Sequence, residues 1–241
     1  MGINENGQAV INSGNTAVFH DINWGVVETL NYLPGASKTI AVDINDSAYT
    51  NNDGIPDGHV IGNSGNGSLD IAGDNTVRGF FWDGGAMYPV DHLGGGTSVT
   101  TDINNSDQVV GAATTDSGSY HAYIWTLDPI TEKGVMMDLG TLGGENSFAT
   151  AINESGQVTG WAETGEFYNE EDVLVPLRHA FLWSNGVMYD LGTHSDFYDY
   201  PFIPSFPFST GVDINDSGEV TGSSYTINSH HRGFHLTPVF P

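Results

Sequence analysis

Ser147 to Ala162 reads S-F-A-T-A-I-N-E-S-G-Q-V-T-G-W-A, and Arg178 to Thr193 resumes R-H-A-F-L-W-S-N-G-V-M-Y-D-L-G-T. Large and small side chains alternate from Phe148 to Ile152, the period of a strand. Asn153-Glu154-Ser155-Gly156 then reads as a turn, because Asn closes an Asx-turn and Gly takes positive φ without a Cβ clash. Gln157 to Ala162 is the predicted return strand and His179 to Trp183 a third. Ser184-Asn185-Gly186 turns into a fourth, Val187 to Leu191. Four antiparallel strands in one unit make the blade of a propeller.

The unit recurs. Ile-Asn stands at Ile3-Asn4, Ile44-Asn45, Ile103-Asn104, Ile152-Asn153 and Ile214-Asn215, followed in most copies by an aromatic strand. Five units of about 48 residues predict a toroid or solenoid of small sheets. The expectation is one all-β domain over 1–241, a five-bladed β-propeller of four-stranded repeats covering 1–36, 37–96, 97–144, 145–208 and 209–241. The first copy opens at Gly2-Ile3-Asn4, and the fifth stops after Arg232 to Leu236 with no Asp-Leu-Gly strand. A ring closed by pairing of the N- and C-terminal segments is therefore expected, since an unpaired edge exposes backbone donors and acceptors.

Asp-Leu-Gly-Thr-Leu-Gly-Gly (138–144), then Ser-x-Ala-x-x-Ile-Asn-x-Ser-Gly-Gln-Val-x-Gly (147–160), then His-Ala-Phe-Leu-Trp (179–183) resembles the HAF-type repeat of bacterial extracellular proteins. The resemblance is strongest from Gly111 to Thr193 and weakest in the first and fifth copies, which lack the His-Ala-Phe triplet. It implies a secreted or surface-exposed repeat protein and brings no catalytic residues with it.

Thirty acidic residues against five basic ones give a formal charge of −25. Such a chain repels phosphate backbones and anionic lipid surfaces, which argues against nucleic acid as a partner; divalent cations, salt-rich surroundings and plain solubility all fit it. The absence of Cys excludes disulfides, thiolate metal sites and a Cys nucleophile. No apolar run is long enough for a membrane span, and Met1-Gly2-Ile3 lacks the regions of a signal peptide, so the sequence reads as a mature or trimmed chain.

Catalytic signatures are missing: there is no G-x-S-x-G elbow, no H-E-x-x-H and no P-loop. His121 and His179 have Arg78 and Arg232 at equivalent places, which suits a blade-edge hydrogen-bond donor better than a metal ligand. His230 and His231 would point to opposite faces of a strand. Phe80, Trp82, Trp125, Phe181 and Trp183 are expected between sheets. Asp43, Asp102 and Asp213 precede Ile-Asn, either accepting hydrogen bonds from nearby backbone or converging on a channel.

Function is expected where the repeats differ, and the second and fourth units have the longest gaps between Ile-Asn pairs. In the second, Asn51 to Gly58 reads N-N-D-G-I-P-D-G. Its spacing resembles calcium loops, with Asn51, Asp53 and Asp57 as oxygen ligands for Ca2+; a polar turn has the same composition. In the fourth, Phe197, Tyr198, Tyr200, Phe202, Phe206 and Phe208 alternate with prolines and suit stacking on sugars or packing over a blade, with Glu166 to Asp172 expected on a nearby loop. The leading expectation is a non-catalytic extracellular propeller that binds carbohydrate or a surface partner. A polysaccharide-active enzyme and an adhesive structural module are the alternatives.

Overall fold

The computed structural model describes residues 2–23, 25–46, 58–73, 75–168, 174–193, 208–225 and 231–237. These contain no helix and form five antiparallel sheets, one per repeat. The first sheet runs β1 (Gly2–Ile3), β2 (Gln8–Ser13), β3 (Thr16–Asp21), β4 (Val26–Leu30), and the second β5 (Lys38–Ile44), β6 (Val60–Gly65), β7 (Arg78–Trp82), β8 (Met87–Pro89). The third comprises β9 (Gly94–Ile103), β10 (Val109–Thr115), β11 (Tyr120–Asp128) and β12 (Lys133–Gly140). The fourth comprises β13 (Ser147–Ile152), β14 (Val158–Tyr168), β15 (Leu174–Ser184) and β16 (Val187–Asp190). The fifth holds β17 (Ser209–Ile214), β18 (Val220–Tyr225) and β19 (His231–Leu236).

Each sheet is a simple meander in chain order, as the turn chemistry predicts. Glu166 to Tyr168, expected on a loop, instead continue β14, pairing with Leu174 to Pro176 of β15. The N-terminal strand is taken up by its own sheet, Gly2 pairing with Val10 and Ile3 with Ala9. Among the described residues no strand pairing joins the N- and C-terminal segments.

One glycine in the motif has a cause that only the pairing reveals. β5, β9, β13 and β17 each carry an extra residue relative to the partner strand, at Val42, Thr101, Thr150 and Val212. Opposite each bulge lies a glycine: Gly62, Gly111, Gly160 and Gly222. A Cβ on any of them would collide with the carbonyl oxygen of Ile40, Val99, Phe148 or Thr210 respectively. The bulge pushes a carbonyl into the space a side chain would need.

The chain falls into two compact units, Met1–Gly118 with Tyr123–Asp138, and Ser119–Ala122 with Leu139–Pro241. In the first unit two apolar clusters are built by strand alternation. Phe80 and Trp82 of β7 pack with Val10, Phe19 and Leu30 of the first sheet, and the Phe19 and Trp82 rings lie 5.1 Å apart. Phe81, one residue along, points the other way, to Ile103, Val109, Tyr123 and Trp125 of the third sheet. Tyr123 is fully buried and donates to the Val99 carbonyl at 2.9 Å, so its hydroxyl is satisfied. In the second unit Ala151 and Leu182 pack with Ile214 and Val220. Phe181 and Trp183 are buried as well.

Candidate functional site

The asparagine of Ile-Asn organises every repeat. Its Oδ1 accepts a backbone N–H at 2.8–3.0 Å: four residues on, from Gln8, Gln108, Gln157 and Glu219, and, across the insertion of the second repeat, from His59. Its amide also donates to the carbonyl of the next repeat's asparagine: Asn4 to Asn45 at 2.9 Å and Asn45 to Asn104 at 3.0 Å in the first unit, and Asn153 to Asn215 at 2.9 Å in the second. These asparagines thus close their own turn and tie it to a neighbour.

The residue after the turn normally completes this arrangement. The Oε1 atoms of Gln8, Gln108 and Gln157 accept a hydrogen bond from the amide of Asn4, Asn104 and Asn153 at 2.9, 2.8 and 2.7 Å. Glu219 replaces glutamine in the fifth repeat, and the hydrogen bond from Asn215 holds its carboxyl below the usual range.

The second repeat departs from this rule. His59 stands in the glutamine position, and the spare Asn45 amide hydrogen goes instead to Asp107 Oδ1 at 2.9 Å. Asp107 is itself a departure: at its place in the turn the first, fourth and fifth repeats have Gly7, Gly156 and Gly218, all at positive φ, and Asp107 adopts φ 57°. Left-handed backbone costs a residue with a Cβ about 1 kcal/mol, so the side chain must earn its position. It does so by also accepting from His59 Nδ1, at 2.7 Å. Two exceptions to the repeat therefore meet as one His–Asp pair.

A third exception completes the surroundings. The β11–β12 hairpin continues past Trp125 through Thr126, Leu127 and Asp128, whereas β7 ends at Trp82. At the tip Asp128 Oδ1 accepts from the N–H groups of Ile130 and Thr131 at 2.8 and 3.1 Å, which lowers its pKa. Glu132 follows at φ 52°.

Between these elements, within the first unit, lies a cleft of about 440 Å³. His59, Asp83, Ser106, Asp107, Thr126 and Glu132 supply its polar wall; Phe81, Tyr88, Leu127 and Pro129 supply the apolar one. Tyr88 donates to Asp83 Oδ2 at 3.2 Å, and Asp83 Oδ1 receives the N–H groups of Gly85 and Ala86. The Phe81 ring meets His59 edge-on at 5.1 Å, and the imidazole Nε2 is buried. His59 is thus a wall of the cleft, with its rotamer fixed by Asp107 on one side and Phe81 on the other.

The cleft residues were not anticipated, although three signals were present: His for Gln at 59, Asp for Gly at 107, and a longer gap between Trp125 and Asp138 than between Trp82 and Asp91. The anticipated sites fare differently. Asn51, Asp53 and Asp57 lie outside the described residues, as do Phe197, Tyr198, Tyr200, Phe202 and Phe206. Phe208 is half-buried, and its backbone bridges to Arg178. The Arg178 guanidinium lies 4.2 Å from the Trp161 ring centre, and Trp161 stacks parallel to Phe148 at 6.1 Å.

His179 lies on β15, an interior strand of its sheet, with its Nδ1 2.9 Å from both Asp190 oxygens. Arg78 occupies the same place in its sheet; burial lowers its pKa while the charge of Asp91 opposes that shift. Asp102 and Asp213 accept from the next residue's N–H at 2.9 Å. Asp43 bonds Ile44 in the same way and also Asp102, and burial raises its carboxyl pKa. No group of three or more metal-ligating side chains occurs among the described residues. Compared with models of known families and with curated proteins, the chain matches none.

Proposed function

We propose that this chain is an extracellular or surface-exposed five-bladed β-propeller of the HAF-repeat kind, and that it binds carbohydrate in the cleft beside His59 and Asp107 without transforming it. The observation that carries this reading is the convergence of three departures from the repeat on one concavity. A scaffold of equivalent units needs none of them for folding, and the left-handed Asp107 works against stability. The volume falls within the range of about 300–1,000 Å³ typical of small-ligand sites.

Its chemistry suits a sugar. Carboxylates and hydroxyls pair with sugar hydroxyls, and the rings and Pro129 offer apolar surface to C–H faces. With Nδ1 engaged by Asp107 and Nε2 buried, His59 is poorly placed to take a proton from a ligand, which favours binding over catalysis. The propeller reading rests on one meander per repeat and on aromatic clusters between successive sheets.

The test is a glycan-binding screen run together with an assay for reducing-end release, on the native chain and on the double variant His59→Gln/Asp107→Gly. That variant restores the residues found in the other repeats. It should fold normally and lose binding. Undiminished binding would move the site elsewhere, with Phe197 to Phe208 next to be examined. Release of reducing ends would replace the binding function with hydrolysis or lysis.

A further inference from the structure

We propose that the cleft selects glycans carrying free amino groups over their N-acetylated and neutral counterparts; this rests on the carbohydrate reading above. Three carboxylates, Asp83, Asp107 and Glu132, line a single cavity, and among the described residues its wall contains no lysine or arginine. Much of their capacity is unspent. Among the described residues the Glu132 carboxylate makes no hydrogen bond or ion pair, and Asp107 uses only Oδ1, on Asn45 and His59. Asp83 Oδ2 receives Tyr88 alone.

Lys133 adjoins Glu132 in sequence. It begins β12 and is not among the described residues that line the cleft. The carboxylates therefore face the cavity without a compensating cation. A neutral sugar satisfies their lone pairs with hydroxyl donors, whereas an ammonium adds charge to the same hydrogen bonds. Tyr88 and Phe81 provide an apolar wall for the ring that carries it. N-acetylation removes the charge and adds bulk, so it counts against binding twice.

The experiment compares three oligomers of equal length by calorimetry: β-1,4-linked glucosamine, its N-acetylated form, and the corresponding glucose oligomer. The glucosamine oligomer is expected to bind about tenfold more tightly than the other two, the sum expected of a few partly exposed ion pairs, with the preference shrinking in high salt. Glu132→Gln should reduce that ratio, since it removes a carboxylate that has no structural bonds. Equal affinity for all three oligomers overturns the selectivity and leaves carbohydrate binding standing. A full preference surviving in Glu132→Gln also overturns it, because attraction would then come from the charge of the whole molecule. Absence of binding by every oligomer refutes the underlying carbohydrate reading as well.

Discussion

Reverting His59 and Asp107 to the residues of the other repeats should reveal a stability cost built into the native cleft. Asp107→Gly alone relieves a left-handed backbone, worth about 1 kcal/mol, but removes the acceptor for Asn45 and His59. Each bond to an ionised acceptor is worth about 1.5–3 kcal/mol when buried, and the carboxylate is 35% exposed, so about 1 kcal/mol each is the fairer figure. The single variant is therefore destabilised by about 1 kcal/mol. His59→Gln alone costs about the same, because Asp107 loses its shortest bond while keeping its strained backbone. In the double variant the introduced glutamine can accept the Asn45 amide as Gln8, Gln108 and Gln157 do for their asparagines, and the turn has its glycine. The double variant should match or exceed native stability, giving a coupling of about 2 kcal/mol between the two sites. Guanidinium unfolding followed by tryptophan fluorescence measures the cycle, since Trp82 and Trp125 report on the two cores of that unit. Additive effects, with the double variant the least stable of the four, would refute the idea that the two exceptions arose as a compensating pair.

Gly160→Ala should destabilise by about 3 kcal/mol, because its Cβ meets the Phe148 carbonyl with no room to yield. Gly186→Ala, at φ 86° in open space, should cost only about 1 kcal/mol by the same denaturation assay. Asp43→Asn should raise the melting temperature at pH 7. Burial raises the folded carboxyl above 3.8, so its stabilising contribution is complete below that pH and is lost as pH rises through the folded value; melts at pH 3 should show little gain. If Asn51, Asp53 and Asp57 hold calcium, chelator should lower the melting temperature, and an unchanged melt argues for a plain turn. Deleting 197–207, which spares Phe208 and its bridge to Arg178, should leave circular dichroism unchanged; unfolding would make that segment part of the core.

What was legible in the sequence had a local cause. Asn153 to Gly156 announces a turn, and the strand ends next to it follow within a residue because alternation and turn chemistry act over a few positions, whereas the far ends of β14 and β15 run five or six residues beyond the expected strands. Gly160 was visible as a recurring glycine, yet its purpose was not, since the obstructing carbonyl belongs to the paired strand. Serines show the same limit: Ser147 Oγ donates to Gly140 and receives the Ala122 N–H, joining strands distant in sequence. The cleft escaped notice for a related reason. Attention to insertions led to Asn51 to Gly58 and to Phe197 to Phe208, whereas the cleft arises from single substitutions at 59 and 107 and from a hairpin lengthened inside a repeat of ordinary size. Only tertiary placement makes a histidine in one repeat and an aspartate in the next a single feature.

The asparagine series has a consequence for how such a chain can change. Asn4, Asn45 and Asn153 each address a main-chain carbonyl in the adjoining repeat, and a carbonyl is present whatever residue evolution places there. That one bond is therefore indifferent to the side chain at the accepting position, like a standard fitting, even though side chains such as Asp46, Asn105 and Asp216 add bonds of their own beside it. Repeats can be duplicated, exchanged or diversified at their side chains without renegotiating that contact. A divergent pair such as His59 and Asp107 can thus occupy one joint while the first and fourth repeats keep glutamine and glycine at those places.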